Sequence, residues 1–164
     1  MLEGEYLNGE KNGNVKEYNS YGKFEFEGKY IKGIRNGKGK EYHNNELIFE
    51  GEYLNDKRWN GKGKECDKEF NTLIYEGEYL NGEKNSNIKE YNKSNGYLIL
   101  EGEYLKGKKN GNIKEYDLVN GTLIIEGEYL NGEKNGNIKE YDGNENLVFE
   151  GKYIKGERNG KGIL

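Results

Sequence analysis

Apolar and polar residues alternate over short stretches along the whole chain, and the alternation restarts at a nearly constant interval. In LIFEGEYLN, residues 47–55, Leu47, Phe49, Gly51 and Tyr53 share one parity while Ile48, Glu50, Glu52 and Leu54 share the other, which is the period of a half-buried β-strand. An Asn- and Gly-rich segment follows, NGEKNG in its commonest form, and such residues supply the positive φ angles of a tight reversal. A second strand comes next, as in NIKEY at 112–116. About seven residues of strand, a turn, about six more of strand and another turn sum to roughly 24, so one repeat is predicted to be one hairpin. The glycine spacing and the lack of a sustained 3.6-residue period disfavour helix throughout.

The pair Glu-Gly stands at 3, 27, 50, 76, 101, 126 and 150, giving successive spacings of 24, 23, 26, 25, 25 and 24. Residues 1–164 therefore read as a single array of seven repeats starting near those positions. From Glu to the second aromatic position (Tyr18, Tyr42, Cys66, Tyr91, Tyr116, Tyr141) the distance is 15, or 16 in the third repeat, where Trp59 is an extra residue. Laid edge to edge, seven hairpins give an all-β fold, an elongated single-layer antiparallel sheet of about fourteen strands, twisted, on the order of 65 Å long. The register apolar-x-Gly-x-Tyr recurs, as in Phe26-Gly28-Tyr30 and Phe149-Gly151-Tyr153. Glycine weakens a strand interior unless another group needs its space, so a neighbouring ring is expected over each of these glycines.

Composition tempers the picture without changing it. Charged residues make up 34% and hydrophobic ones 32%, which excludes a thick two-layer core, while the regular placement of 15 tyrosines argues for order by repetition rather than disorder. The net charge of -4, with both signs interspersed, provides no basic field for nucleic acid. There is no apolar run long enough to span a membrane and no hydrophobic leader, since MLEGEYLNGE is polar from its third residue; a soluble, cytoplasmic protein is expected. Cys66 stands alone, so neither an intrachain disulfide nor a multi-cysteine metal cluster is available.

Two stretches, FEGEYLNDKRWNGKG at 49–63 and FEGKYIKGERNGKG at 149–162, resemble MORN repeats (membrane occupation and recognition nexus). The shared pattern is an aromatic, a glycine two residues on, an aromatic two further, a glycine-bearing turn and a G-x-G. It recurs in phase along nearly the whole chain. The G-x-G is intact at Gly37-Lys38-Gly39, Gly61-Lys62-Gly63 and Gly160-Lys161-Gly162, but Val15, Ile88, Ile113 and Ile138 replace its second glycine elsewhere, and Ser86 replaces the first glycine of the fourth repeat. The branched side chains are expected to fill space that an aromatic would otherwise take. The resemblance implies stacked hairpins, and a role in protein or membrane interaction.

Candidate chemistry is sparse. The NGEKNG and RNGKGK segments combine glycine-rich backbone with Lys, yet no Ser or Thr follows and no helix is in prospect, so they are read as turns and not as phosphate loops. His43 is the one histidine, and the hydroxyls are confined to Ser20, Ser86, Ser94, Thr72 and Thr122, from which no nucleophile-base set can be assembled. Zinc and other cofactors are not expected, nor is enzymatic activity. The pairs Glu50/Glu52, Glu76/Glu78, Glu101/Glu103 and Glu126/Glu128 project from the face opposite Gly and Tyr. Cross-strand pairing with the Lys-Glu dipeptides of strand two, such as Lys40-Glu41 and Lys139-Glu140, explains both sets on a solvated face.

The tyrosines form two rows. One carries the thin core and, in its exposed members, a contact surface; Tyr30, Tyr53, Tyr79, Tyr104 and Tyr129 are the candidates for partner binding, joined by Trp59 in a lengthened turn. The leading functional expectation is a non-catalytic interaction or scaffold module whose elongated aromatic-lined surface receives another protein or a second copy of itself. The alternative is peripheral binding to anionic phospholipid through Lys11, Arg35, Arg58, Lys84, Lys109, Lys134 and Arg158, aligned at the hairpin tips. The chain starts inside a strand and stops at Gly162-Ile163-Leu164, which suggests a fragment, end-to-end pairing, or a divergent last strand capped by Ile163 and Leu164.

Overall fold

A computed structural model describes residues 1–67, 69 and 71–163, with backbone alone over 161–163. The expected cap at Ile163 and Leu164 lies outside the described side chains. Among the described residues the regular structure is entirely strand. The strands are β1 (Leu2–Leu7), β2 (Glu10–Tyr18), β3 (Phe24–Ile31), β4 (Ile34–His43), β5 (Glu46–Leu54), β6 (Lys57–Cys66) and β7 (Leu73–Leu80), then β8 (Glu83–Tyr91), β9 (Leu98–Leu105), β10 (Lys108–Tyr116), β11 (Leu123–Leu130), β12 (Glu133–Tyr141), β13 (Leu147–Ile154) and β14 (Glu157–Ile163). They follow one another in chain order in an open sheet of fourteen strands. The chain packs as two compact units, the first of residues 1–64 and 78–83, the second of residues 65–77 and 84–164.

The reversals are shorter than the sequence suggests. Only two residues turn each hairpin, and both have positive φ, as in Asn8 (51°) and Gly9 (83°) or Lys106 (51°) and Gly107 (72°), the conformation that matches the twist of the flanking strands. The second Asn-Gly, exemplified by Asn12-Gly13, lies within β2 and does not turn the chain. It makes a bulge: Gly4 pairs with Val15 and Tyr6 with Lys11, so one residue of β1 faces three of β2. The second strand accordingly begins before the NIKEY segment; β10 starts at Lys108. The bulge asparagine fastens a tip to the next at Asn12, Asn60 and Asn110. The amide of Lys32 bonds the side-chain oxygen of Asn12 at 3.3 Å while Gly33 N–H donates to the Lys11 carbonyl at 2.9 Å.

Trp59 is not in a turn but in β6. The insertion is absorbed by the bulge: Tyr53 pairs with Arg58 and Glu52 with Asn60. The tip connection survives because the Trp59 carbonyl accepts from Gly82 N–H at 2.8 Å and Asn60 Oδ1 from Asn81 N–H at 2.9 Å.

One row of residues crosses each unit. In the first it runs Gly4, Val15, Gly28, Gly39, Gly51, Gly61; in the second Ile88, Gly102, Ile113, Gly127, Ile138, Gly151. A ring lies over the glycines of the Phe-bearing hairpins, as expected: a Cβ on Gly39 would stand 2.7 Å from Phe26 Cζ, and one on Gly63 2.7 Å from Phe49 Cδ2. At Gly102 and Gly127 no ring does so. There the space is taken by Ile113 Cδ1 and Ile138 Cδ1, at 2.8 and 2.7 Å.

The exchange is systematic and includes the tip cation. Phe26, Phe49 and Phe149 go with Gly39, Gly63 and Gly162 and with Arg35, Arg58 and Arg158, whereas Leu2, Leu100 and Ile125 go with Val15, Ile113 and Ile138 and with Lys11, Lys109 and Lys134. Tyr75 with Ile88 and Lys84 is the intermediate case. A large ring needs a facing residue without Cβ, while a smaller aliphatic leaves room for a branched one. Two cores result. The first holds Val15, Phe26, Tyr30, Phe49 and Tyr53 with Tyr79 against them; the second unit buries Tyr75, Ile88, Leu100, Ile113, Tyr129, Ile138, Phe149 and Tyr153.

This pairing is testable within one hairpin. Gly39→Ile alone is expected to destabilise by about 1–3 kcal/mol through overpacking on Phe26, and Phe26→Leu alone by about 1 kcal/mol or more. The double substitution should cost less than the sum of the two. Urea unfolding of the four proteins gives the coupling, and strict additivity would contradict the account.

Candidate functional site

The two faces of the sheet have different chemistry. On one, strand-one rings are roofed by tip cations whose stems lie along them. Arg35 stands 4.0 Å over the Phe26 ring, Arg58 4.9 Å over Phe49 and Arg158 4.1 Å over Phe149. Lys11, Lys109 and Lys134 instead stand over the tyrosine of the following hairpin, Tyr30, Tyr129 and Tyr153, at 4.8, 5.3 and 5.1 Å, and Lys84 lies 4.1 Å over Tyr75. Such contacts are worth about 0.5–2 kcal/mol, rising with desolvation.

The Glu of each strand-two Lys-Glu pair belongs to this face, because its parity places it opposite Phe26, Phe49 or their equivalents. Glu17 receives Lys11, and Arg35 at 2.8 Å; Glu41 receives Arg58 at 2.8 Å; Glu90 and Glu115 receive Lys84 and Lys109 at 2.7 and 2.5 Å. Glu140 binds Lys134 at 2.7 Å and Arg158 at 2.6 Å. Hence all seven cations expected at a lipid surface have a carboxylate partner. The expected cross-strand Glu-Lys pairing is divided between the faces: the lysine of each dipeptide faces the other way, where Lys40 meets Glu50 at 3.2 Å, Lys62 meets Glu78 at 3.0 Å and Lys139 meets Glu126 at 3.6 Å.

Of the residues expected to contact a partner, Tyr30, Tyr53 and Tyr129 are only 3, 3 and 6% exposed. Their hydroxyls are engaged: Tyr30 accepts from Arg35 Nε at 3.0 Å, Tyr53 donates to Glu41 at 3.0 Å and Tyr129 to Glu115 at 2.7 Å. Tyr79 and Tyr104 are half-buried; Tyr79 joins the first core, and burial together with Glu90 and Glu115 raises Tyr104 to about 12. Trp59 is half-buried and stacks on the neighbouring turn, where a Cβ on Gly82 would stand 3.3 Å from its ring. The structure thus gathers Tyr30, Tyr53 and Tyr79 into one cluster and leaves Trp59 beside a tip.

The opposite face holds a groove in each unit. That of the first encloses about 740 Å³ and that of the second about 790 Å³. Both run across the strands, with the glycine row for a floor, so that the ligand-facing surface there is bare backbone. One wall of the second groove is an alternating ladder, Lys89, Glu101, Lys114, Glu126, Lys139, Glu150, in which every neighbour has opposite charge. Strand-two tyrosines brace its carboxylates: Tyr116 O–H donates to Glu101 at 2.8 Å and Tyr141 O–H to Glu126 at 2.7 Å. The other wall alternates Asn with Glu: Asn87, Glu103, Asn112, Glu128, Asn137. The grooves escaped the sequence reading, although the Glu pairs that form their walls were visible in it as one face.

Among the described residues no group of three or more His, Cys, Asp or Glu is placed to hold a metal ion, and no helix is long and apolar enough to cross a membrane.

A succession of alike hairpins, their rings roofed by tip cations of the same or the preceding hairpin and their tips tied one to the next, defines a β-hairpin repeat protein. A family model described as MORN repeat matches residues 3–14, 26–46, 75–87, 101–112, 126–137 and 149–164. The chain belongs to the MORN repeat family, whose repeats are general modules of interacting and membrane-associated proteins. Residues 47–74, which contain the Trp59 insertion, fall between matched segments. No curated protein matches the chain.

The carboxylates of the ring face set an acid limit. Burial pushes Glu140 up, but hydrogen bonds from Lys134, Tyr153 and Arg158 outweigh it and hold the carboxyl at about 2. With a folded value below the ordinary one, Glu140 stabilises the fold above about pH 4.5, and that contribution is lost as pH falls through about 2. Glu17 and Glu115 are lowered in the same direction. Glu140→Gln is expected to cost about 1 kcal/mol at pH 7, given solvent screening, and to flatten the loss of thermal stability between about pH 4.5 and 2. Circular-dichroism melts across that range provide the check; an unchanged pH slope would refute the assignment.

Proposed function

We propose that this chain is a non-catalytic, cytoplasmic protein-interaction module, its seven repeats forming one array, which receives a segment of another protein in the grooves on the Glu, Lys and Asn face. The observation that carries the reading is the groove itself: a backbone floor between two polar walls, on the face whose side chains are not used to build a core. The strand-one tyrosines support binding from beneath by fixing the sheet, and Trp59 and Tyr79 are the aromatic residues best placed to add contact at a tip. Attachment to anionic lipid through Lys11, Arg35, Arg58, Lys84, Lys109, Lys134 and Arg158 draws less support, since each cation is already paired with a carboxylate, and detaching it would uncover a ring.

A photocrosslinking amino acid at position 114, in the groove, and another at position 21, in an exposed loop, separate the readings in cells that make the protein naturally. A discrete adduct from position 114 and none from position 21 is expected, together with no flotation on anionic vesicles at physiological salt. Absence of any adduct from the groove, with flotation that Arg35→Ala and Arg158→Ala abolish, would replace this reading with the lipid one.

A further inference from the structure

The second groove is lined by six glutamates and three lysines, the first by four and three. The excess arises at one wall. In the Lys-Glu ladder Glu101 and Glu126 each lie between two lysines, but on the facing wall Glu103 is paired with Asn87 across one ladder and Glu128 with Asn112 across another, neither asparagine neutralises charge, and Lys152 stands only at the β13 end, opposite Asn137. Both glutamates are exposed. In the first unit the same wall carries Lys38 opposite Glu52, so the charges cancel there. The chain as a whole has a net charge of -4, which makes a second copy a poor complement to an acidic groove.

Dimensions select the form of the partner. Glu103 and Glu128 lie on β9 and β11, two strands apart, hence about 9.6 Å. From β7 to β13 the groove spans six interstrand steps, about 29 Å. An α-helix returns residues to one side at about 4.5, 6 and 10.5 Å, further from the carboxylate spacing. A β-strand puts residues on one side every two positions, at about 6.6 or 13 Å, which misses the carboxylate spacing. A polyproline II segment has three residues per turn and a rise of about 3.1 Å, so every third residue falls on one side at about 9.3 Å.

The geometry points to a protein segment in polyproline II conformation, with Lys or Arg at every third position, as the occupant of the second groove, its cations meeting Glu103 and Glu128. About nine residues fill the groove length. This inference rests on the protein-binding reading above and specifies the partner's chemistry.

The test uses the full chain and a labelled nonapeptide, Pro-Pro-Arg three times over, followed by fluorescence anisotropy. Saturable binding is expected, weakened roughly three- to tenfold by Glu103→Gln with Glu128→Gln and weakened further as salt rises from about 0.02 to about 0.2 M. Glutamine keeps the acceptor oxygen through which Glu103 meets Asn112 N–H at 3.4 Å, so the fold is preserved, as circular dichroism will verify. The matching change in the first groove, Glu5→Gln with Glu52→Gln, should leave affinity within about twofold. An isomer with its three arginines contiguous should bind more weakly, and Pro-Pro-Glu repeats should not bind.

Equal affinity for the two arginine isomers, or indifference to Glu103→Gln with Glu128→Gln, overturns the inference. So does a dimer in light scattering that the double variant dissolves, which would make a second copy the occupant. Failure of the arginine peptide alongside a groove adduct from position 114 overturns the stated chemistry and leaves the protein-binding reading standing; failure of both removes both.

Discussion

The missing Cβ atoms along one row of the sheet are the constraint on which everything else depends. A side chain at Gly51 or Gly102 would run into the backbone of the facing strand, so the strand-one positions of the row have to be bare if adjacent strands are to approach and bulge as they do. The same vacancy serves both faces. Beneath the row it admits the Phe26 and Phe49 rings or the Ile113 and Ile138 methyls; above it, the exposed backbone becomes a groove floor. Groove floor and core are therefore two sides of one packing solution, and neither can be altered at the glycines without the other.

An open sheet with one layer has nothing to lay over its rings except its own side chains. Long amphipathic cations meet that need because the stem covers the ring while the head remains in contact with water and carboxylate. The two kinds of cation do so differently. Arginine lies over the Phe of its own hairpin and reaches the carboxylate of the preceding one, as Arg35 reaches Glu17; lysine bonds the carboxylate of its own hairpin and covers the next tyrosine, as Lys109 does with Glu115 and Tyr129. Where a lysine hairpin precedes an arginine hairpin both cations meet on one carboxylate, at Glu17 and again at Glu140. Neighbouring hairpins are thereby coupled by charge as well as by the ladder, which gives nearest-neighbour cooperativity of the kind repeat proteins rely on.

The strand period, the repeat and the hairpin were readable from residues alone because parity and glycine spacing are local consequences of backbone geometry. What parity left open was which polar residues were structural. Arg35 and Lys134 read as free tip charges since they follow a turn, and only the side-chain path over Phe26 or Tyr153 reveals their partners. Asn12-Gly13 read as a turn for a similar reason: Asn-Gly favours positive φ in a bulge as well as in a reversal, and composition does not separate the two. Trp59 looked like an ornament on a loop because an inserted residue is usually accommodated there; here the existing bulge accommodated it instead. The grooves were hidden because a concavity belongs to twist and curvature, not to any one repeat.

Repetition also explains how such a surface acquires a preference without a change of fold. The residue after each strand-one glycine, Glu5, Lys29, Glu52, Glu78, Glu103, Glu128 or Lys152, points away from the rings and takes no part in the exchange between Phe-Gly-Arg and aliphatic-branched-Lys hairpins. It is free to change sign hairpin by hairpin. The Lys-Glu ladder beside it is not equally free, since its interior members, such as Lys40, Glu101, Lys114 and Glu126, have two opposite charges as neighbours, and reversing one creates like-charge pairs on both sides. One wall of each groove is therefore held electrostatically neutral by its own pairing, while the other sets the net field. In the second unit that variable wall carries Glu103 and Glu128 opposite asparagine and ends on Lys152, and in the first it mixes signs, so the two grooves present different fields from the same architecture.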